Sequence, residues 1–160
     1  MDSILYSDEK KLYNVCLSKI LLNSMHILCE ASSPNETGGI LIGHYTEDNN
    51  TAIITEFLTA PSDSESGFTW FYRGTSGVIR KLNAIWNEKR HYYIGEWHYH
   101  PNSSSSLSNQ DIKQMKSISK IKSYKCPEPI LLIIGGNASL WENSVYVFPQ
   151  GEDFKSLYNK

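Results

Sequence analysis

The chain has 160 residues, of which 40% are hydrophobic and 20% charged, with 15 Lys+Arg against 17 Asp+Glu and a formal net charge of −2. That size fits one globular domain, residues 1–160, able to bury a core without a disulfide or a metal, and the composition excludes disorder of the whole chain. A near-neutral balance offers no general attraction to nucleic acid or an anionic membrane, and no apolar run approaches the roughly 20 residues of a membrane span. Residues 4–17 are ambiguous, with a short strand expected near 13–17. Ser18 is placed to cap a helix running to about residue 30, with Ile20, Leu21, Ser24, Met25, Ile27 and Leu28 on its apolar face. Residues 31–35 form a loop, and 38–45 and 51–60 read as a strand pair around the polar turn 46–50. A polar loop, 61–67, leads into an aromatic, extended stretch, 68–73. A second helix falls within 74–90, with Val78, Leu82, Ile85 and Trp86 on one face. Residues 92–100 are β-prone, 101–107 are a Ser-rich loop, and 108–122 form a third helix that buries Ile112, Met115, Ile118 and Ile121. Residues 129–135 and 140–148 are the last two strands expected, and the tail from Gly151 adds a short helix. Strands and helices interleave throughout, which favours an α/β fold with a central mixed sheet flanked by helices.

The informative segment is Gly95-Glu96-Trp97-His98-Tyr99-His100-Pro101 followed by Ser108-Asn109-Gln110-Asp111. Residues two apart on a strand point to one face, so His98 and His100 present two imidazoles together. Imidazole suits zinc, and Pro101 turns the chain away just after the second histidine. Asp111, in the first turn of the next helix, can return over the strand end as an oxygen ligand. Three protein ligands leave a fourth position for water, the arrangement of a catalytic rather than a structural zinc site. Ser108 and Asp111 also fit a helix start, with Ser108 as N-cap and an acidic residue three later. On residue chemistry alone, a general base is divided evenly between Glu36 and Glu96.

The complete pattern His98-x-His100-Pro101, a seven-residue spacer over 101–107, then Ser108-x-x-Asp111 resembles the JAMM signature of MPN+ metallopeptidases. The segment Glu36-Thr37-Gly38-Gly39-Ile40-Leu41-Ile42-Gly43 is similar to the family's early strand and its preceding glutamate. The resemblance spans about residues 15–148 and implies a cytidine-deaminase-like JAB/MPN fold. It also implies one zinc ion per chain held by His98, His100 and Asp111, with Glu36 as base and Ser108 as oxyanion donor. The stretch Phe68-Thr69-Trp70-Phe71-Tyr72-Arg73, together with Tyr93 to His98, is similar to small prokaryotic JAB-domain proteins, including the deconjugating peptidases of CBASS anti-phage operons.

That setting implies an isopeptidase acting after the C-terminal tail of a ubiquitin-like-conjugated protein. Its partners would be E1/E2-like conjugation machinery and a conjugated target such as a CD-NTase-type nucleotidyltransferase. The tail would pair with an exposed sheet edge. Candidate channel walls are 68–73 and 101–107, and candidate substrate contacts are Phe68, Trp70, Tyr72 and Trp97. Two alternatives are a JAB peptidase that trims a sulfur-carrier protein and a non-catalytic MPN scaffold. Zinc deaminase chemistry is excluded by the missing His-x-Glu and Pro-Cys-x-x-Cys segments. Cys16, Cys29 and Cys126 form no Cys-x-x-Cys pair and read as free thiols in a reducing cytoplasm. No secretory signal pattern opens the chain.

Overall fold

A computed structural model describes residues 2–159. Its elements in chain order are β1 (Ser3–Ser7), β2 (Asn14–Ser18), α1 (Lys19–Ser32), β3 (Thr37–Tyr45), β4 (Thr51–Leu58), β5 (Glu65–Ser66), β6 (Phe71–Tyr72), α2 (Val78–Lys89), β7 (Tyr92–Pro101), α3 (Asn109–Lys120), β8 (Ile130–Asn137), β9 (Leu140–Val147) and β10 (Lys155–Asn159). The strands and helices alternate as their patterning predicts. The sheet, however, closes on itself in the order β1-β10-β9-β8-β7-β3-β4-β2, rather than lying open between helices. Closure depends on the C-terminal tail, where the sequence predicts a short helix. Residues 155–159 instead form β10, which pairs antiparallel with both β1 and β9. A strand there satisfies the backbone of two neighbours at once, which a helix cannot do.

Two apolar clusters occupy the two faces of the central strands. On one face Leu22, Met25 and Cys29 of α1 pack with Leu41, Trp97, Tyr99, Leu132 and Ile134. On the other, Val78 of α2 and Met115 and Ile118 of α3 pack with Ile40, Ile42, Leu131 and Ile133. A strand buried on both faces carries an unbroken apolar run, as Ile130 to Ile134 does. Ser18 caps α1 as expected, its hydroxyl accepting from the Leu21 amide at 3.1 Å. The buried face of α1 is not the predicted one, since Ile20 and Ile27 are 77% and 68% exposed. This helix is apolar on most sides, so tertiary docking selects the face. Ile121 is also exposed, because α3 ends at Lys120 and Ile121 is its C-cap.

One irregularity matters for the site. Leu41 pairs with Gly95 and Ile42 with Tyr93, so Ile94 is an extra residue on β7. Such a bulge exchanges the faces of the residues on its two sides. Trp97 and Tyr99 therefore join the α1-side cluster, while Glu96, His98 and His100 point the other way, toward α3.

Candidate functional site

The site forms where the end of β7 meets the start of α3. Ser108 caps α3 in a reciprocal box: its hydroxyl accepts from the Asp111 amide at 3.0 Å, and its own amide donates to Asp111 Oδ2 at 2.9 Å. This box holds the carboxylate over the strand. Asp111 Oδ1 lies 3.0 Å from His98 Nδ1, and Oδ2 lies 3.4 Å from His100 Nε2. His100 Nδ1 is 3.2 Å from the Ser104 carbonyl. Burial acts to raise the Asp111 pKa, but hydrogen bonds to His100 and His98 outweigh it and hold the carboxyl well below the carboxylate range. Burial acts to lower His100, and Asp111 outweighs it and raises the imidazole.

Glu36 enters from far away in sequence. It precedes β3, whose Thr37 and Gly38 pair with Tyr99 and His98. Its amide donates to the Gly67 carbonyl at 2.9 Å. Half-buried, it has its pKa raised by desolvation, and His100, His98 and Asp111 are all near enough for their charges to act on it. Glu96, the competing glutamate, has both oxygens engaged, Oε1 by Arg73 Nε and Oε2 by the Tyr93 hydroxyl. Glu36, unlike Glu96, is near enough to all of His98, His100 and Asp111 for their charges to act on it.

Do these residues fit a metal? Asp111 touches both rings directly, and among the described residues no three His, Cys, Asp or Glu side chains already converge as a finished cluster. The donor set nevertheless fits a divalent cation of the zinc type. His98 Nε2 is a buried nitrogen without a hydrogen-bond partner among the described residues. Such an orphan calls for a ligand. Ser104 occupies Nδ1 of His100 and so directs its Nε2 to the site, as an outer partner does for a ligating histidine. Two imidazole nitrogens and one carboxylate make a three-ligand N,N,O set.

Flanking the site is the hairpin β5–β6, whose Glu65–Tyr72 and Ser66–Phe71 pairs form a separate two-stranded sheet. Each strand of this hairpin pairs only with the other, so both of its outer edges are free. Phe68, Trp70 and Tyr72 are 70%, 43% and 61% exposed on it. A cleft of about 240 Å³ separates the hairpin from α3, lined by Phe71, Tyr72, Gln110, Lys113 and Gln114. Trp97 is withdrawn as a substrate contact: it is 1% exposed on the opposite face of β7, and its indole donates to the Leu58 carbonyl at 3.0 Å. The loop over 102–107 is held by Ser105, whose amide and hydroxyl both donate to Glu142. The sequence places Phe71 and Arg73 within a candidate channel wall, 68–73, and Gly38 within the early-strand motif, but not the contacts of Phe71 with His98 and of Arg73 with Glu96. The alternation of Phe71 and Arg73 in an aromatic strand was the available signal.

The fold and the site define a JAB-domain protein. The chain belongs to the family of prokaryotic homologs of the JAB domain, which matches residues 18–146. A relative from Enterobacter hormaechei subsp. hoffmannii (strain UCI 50), named CD-NTase/cGAS isopeptidase, is 41% identical over 150 residues, covering 93% of this chain and 83% of its own. A probable metalloprotease, y4qB, from Sinorhizobium fredii (strain NBRC 101917 / NGR234) is 27% identical over 123 residues, covering 66% of each chain. The solution structure of protein DSY2949 from Desulfitobacterium hafniense matches with a TM-score of 0.58 at 15% identity, over 89% of this chain and 86% of its own, a likeness of fold alone. No helix among the described residues is long and apolar enough to cross a membrane. The three cysteines are free, and burial pushes the Cys29 and Cys126 thiols up to about 12, so neither is a ready nucleophile.

Proposed function

We propose that this chain is a zinc-dependent isopeptidase. It hydrolyses the amide bond after the C-terminal tail of a ubiquitin-like-conjugated protein in a bacterial anti-phage system of the CBASS type. The observation that carries the reading is the convergence of His98, His100 and Asp111 of β7 and α3, with Glu36, from before β3, near enough for their charges to act on it. The name of the Enterobacter relative supports an isopeptidase with a CD-NTase conjugate as target, and the Sinorhizobium relative supports metal-dependent proteolysis.

His98, His100 and Asp111 would hold the metal. A zinc ion bound there would supply Lewis acidity and lower the pKa of water toward neutrality. Glu36 takes a proton from the attacking water and delivers it to the leaving amine. A raised pKa suits a group that must give the proton back. Ser108 accepts from the Asp111 amide, which leaves its own hydroxyl hydrogen free to donate to the carbonyl oxygen as charge builds there. Ser108 is not the nucleophile, because both nearby histidines are committed as ligands. The substrate tail pairs along β5–β6, with Phe68, Trp70 and Tyr72 beside it. The whole chain acts as one cytidine-deaminase-like JAB domain in the cytoplasm, alongside E1/E2-like conjugation machinery.

A substrate trap tests the reading. Glu36→Gln is expressed with the neighbouring operon, recovered, and its bound covalent conjugates are identified by mass spectrometry. A nucleotidyltransferase joined through its C-terminus to another protein is the expected result. A small sulfur-carrier protein bearing an extra C-terminal residue would replace this function with biosynthetic trimming.

A further inference from the structure

The hairpin β5–β6 has only two residue pairs, too few to hold its own position in water. It must be fixed from outside. At its base the Gly74 amide donates to Ser64 Oγ at 2.9 Å, and Asp63 accepts from the Thr75 and Ser76 amides. At its tip Gly67 accepts from the Glu36 amide. Between these points lies a contact that no part of the proposed chemistry uses.

Arg73, directly after β6, turns its guanidinium into the protein. Its Nε donates to Glu96, Nη1 to the Gly74 carbonyl at 2.9 Å, and Nη2 to the Tyr124 hydroxyl at 3.0 Å. Tyr93 donates to the other Glu96 oxygen. Tyr93 and Glu96 are three apart on β7, a spacing that faces opposite ways on a regular strand. The extra residue Ile94 brings them to one face. Phe71, two residues before Arg73, also points inward. Its ring meets His98 edge-on with centroids 5.6 Å apart, over the bare Cα of Gly38, where an added Cβ would come within 2.8 Å of Phe71. Two alternate residues of the hairpin thus engage two alternate residues of β7: Phe71 with His98, and Arg73 with Glu96.

This is a register, set at two points, between the hairpin and the strand that bears both histidines. A buried ion pair with further hydrogen bonds adds little net stability over an apolar replacement, yet it admits few geometries. The planar fork of arginine is suited to that task.

We propose that Arg73 is a positioning residue: through Glu96 it latches the hairpin over β7 and so sets where a chain paired along the hairpin lies relative to His98 and His100. The latch rests on geometry alone, and its consequence for substrate rests on the function proposed above.

The test is hydrogen exchange of residues 63–76 in the full-length, zinc-loaded protein. Arg73→Met alone leaves Glu96 buried without its partner and can fail to fold, so the Arg73→Met/Glu96→Gln double variant, which removes both charges, carries the comparison. The double variant is expected to melt cooperatively and bind one zinc per chain. Its hairpin amides exchange at least ten-fold faster than in the wild type, with β7 and α3 unchanged. Arg73→Lys, which keeps the charge but not the fork, falls between. With the conjugate purified from the Glu36→Gln trap, the double variant raises KM about ten-fold and leaves kcat within about three-fold. A folded double variant with wild-type hairpin exchange overturns the latch, as does a fall in kcat at constant KM. If the wild type cleaves no conjugate but the exchange difference appears, the proposed function fails and the latch stands.

Discussion

On one side of the site, His98, His100, Ser108 and Asp111 all lie between positions 98 and 111, joined by one strand end, one loop and one helix cap. On the other side, Glu36, Gly38, Phe71 and Arg73 come from two distant segments and reach the site only because β3 pairs with β7 and the hairpin seats on it. The first side is held by reciprocal bonds between near neighbours. The second is held by close approach of backbones and by one buried ion pair. A change on the first side should therefore remove a chemical group, whereas a change on the second should displace groups that remain present.

The largest expected effect lies on the local side. Asp111→Ala removes the partner of both histidines and half of the capping box. Zinc content, measured by metal analysis, should drop from one per chain to near zero and hydrolysis should vanish, with about 1 kcal/mol of stability lost through the cap. Retention of full zinc would break the assignment of this residue. Glu36→Gln comes next: zinc is kept and the melting curve is unchanged, while kcat falls by about 10²–10⁴. If Glu96→Gln gives that pattern instead, the two glutamates have exchanged roles.

Gly38→Ala probes the distant side without touching a charged group. The added Cβ would lie 2.3 Å from the Trp97 carbonyl oxygen and 3.1 Å from His98 Cδ2. Overpacking of this kind costs about 1–3 kcal/mol, read as a lower Tm, with activity reduced because β3 is pushed away from β7 and Phe71 from His98. An unchanged Tm and rate would show that β3, β7 and the hairpin all yield freely at this point. The smallest effect concerns the loop over 102–107. Hydrogen bonds from the Ser105 amide and hydroxyl hold the Glu142 carboxyl below its ordinary 4.5. A depressed carboxyl pKa favours the ionised form in the fold, so its contribution is complete above pH 4.5 and is lost as pH falls through the lowered value. Loop mobility, followed by backbone NMR, should rise only in that acidic range, and Glu142→Gln should show the mobile loop at neutral pH with zinc retained.

The local side was legible in the sequence for a physical reason. Ser108-x-x-Asp111 specifies a helix start through bonds between residues three apart, and His98-x-His100 shares a face because strands repeat every two residues. The strands 37–45, 51–58, 92–101, 130–137 and 140–147 stand close to their expected places, since each carries its own β-prone run. What failed was whatever depended on a partner. The tail became a strand because β1 and β9 both offered it a ladder. The buried face of α1 lies a fraction of a turn from the stripe its sequence predicts, because several of its faces are apolar. Trp97 lies apart from its aromatic neighbours because alternation along β7 sends it to the opposite side.

The sequence by itself determined the spacing of His98, His100 and Asp111, the cap that presents Asp111, and the presence of a mixed α/β arrangement. All of these arise from interactions between residues close along the chain. Only the tertiary structure decided that Glu96 is consumed by Arg73 while Glu36 comes within reach of the charges of His98 and His100, that the sheet closes, and that Phe71 rests on His98. Those outcomes turn on strand register and on a single bulge at Ile94, whose energies are settled by contacts between segments far apart in sequence.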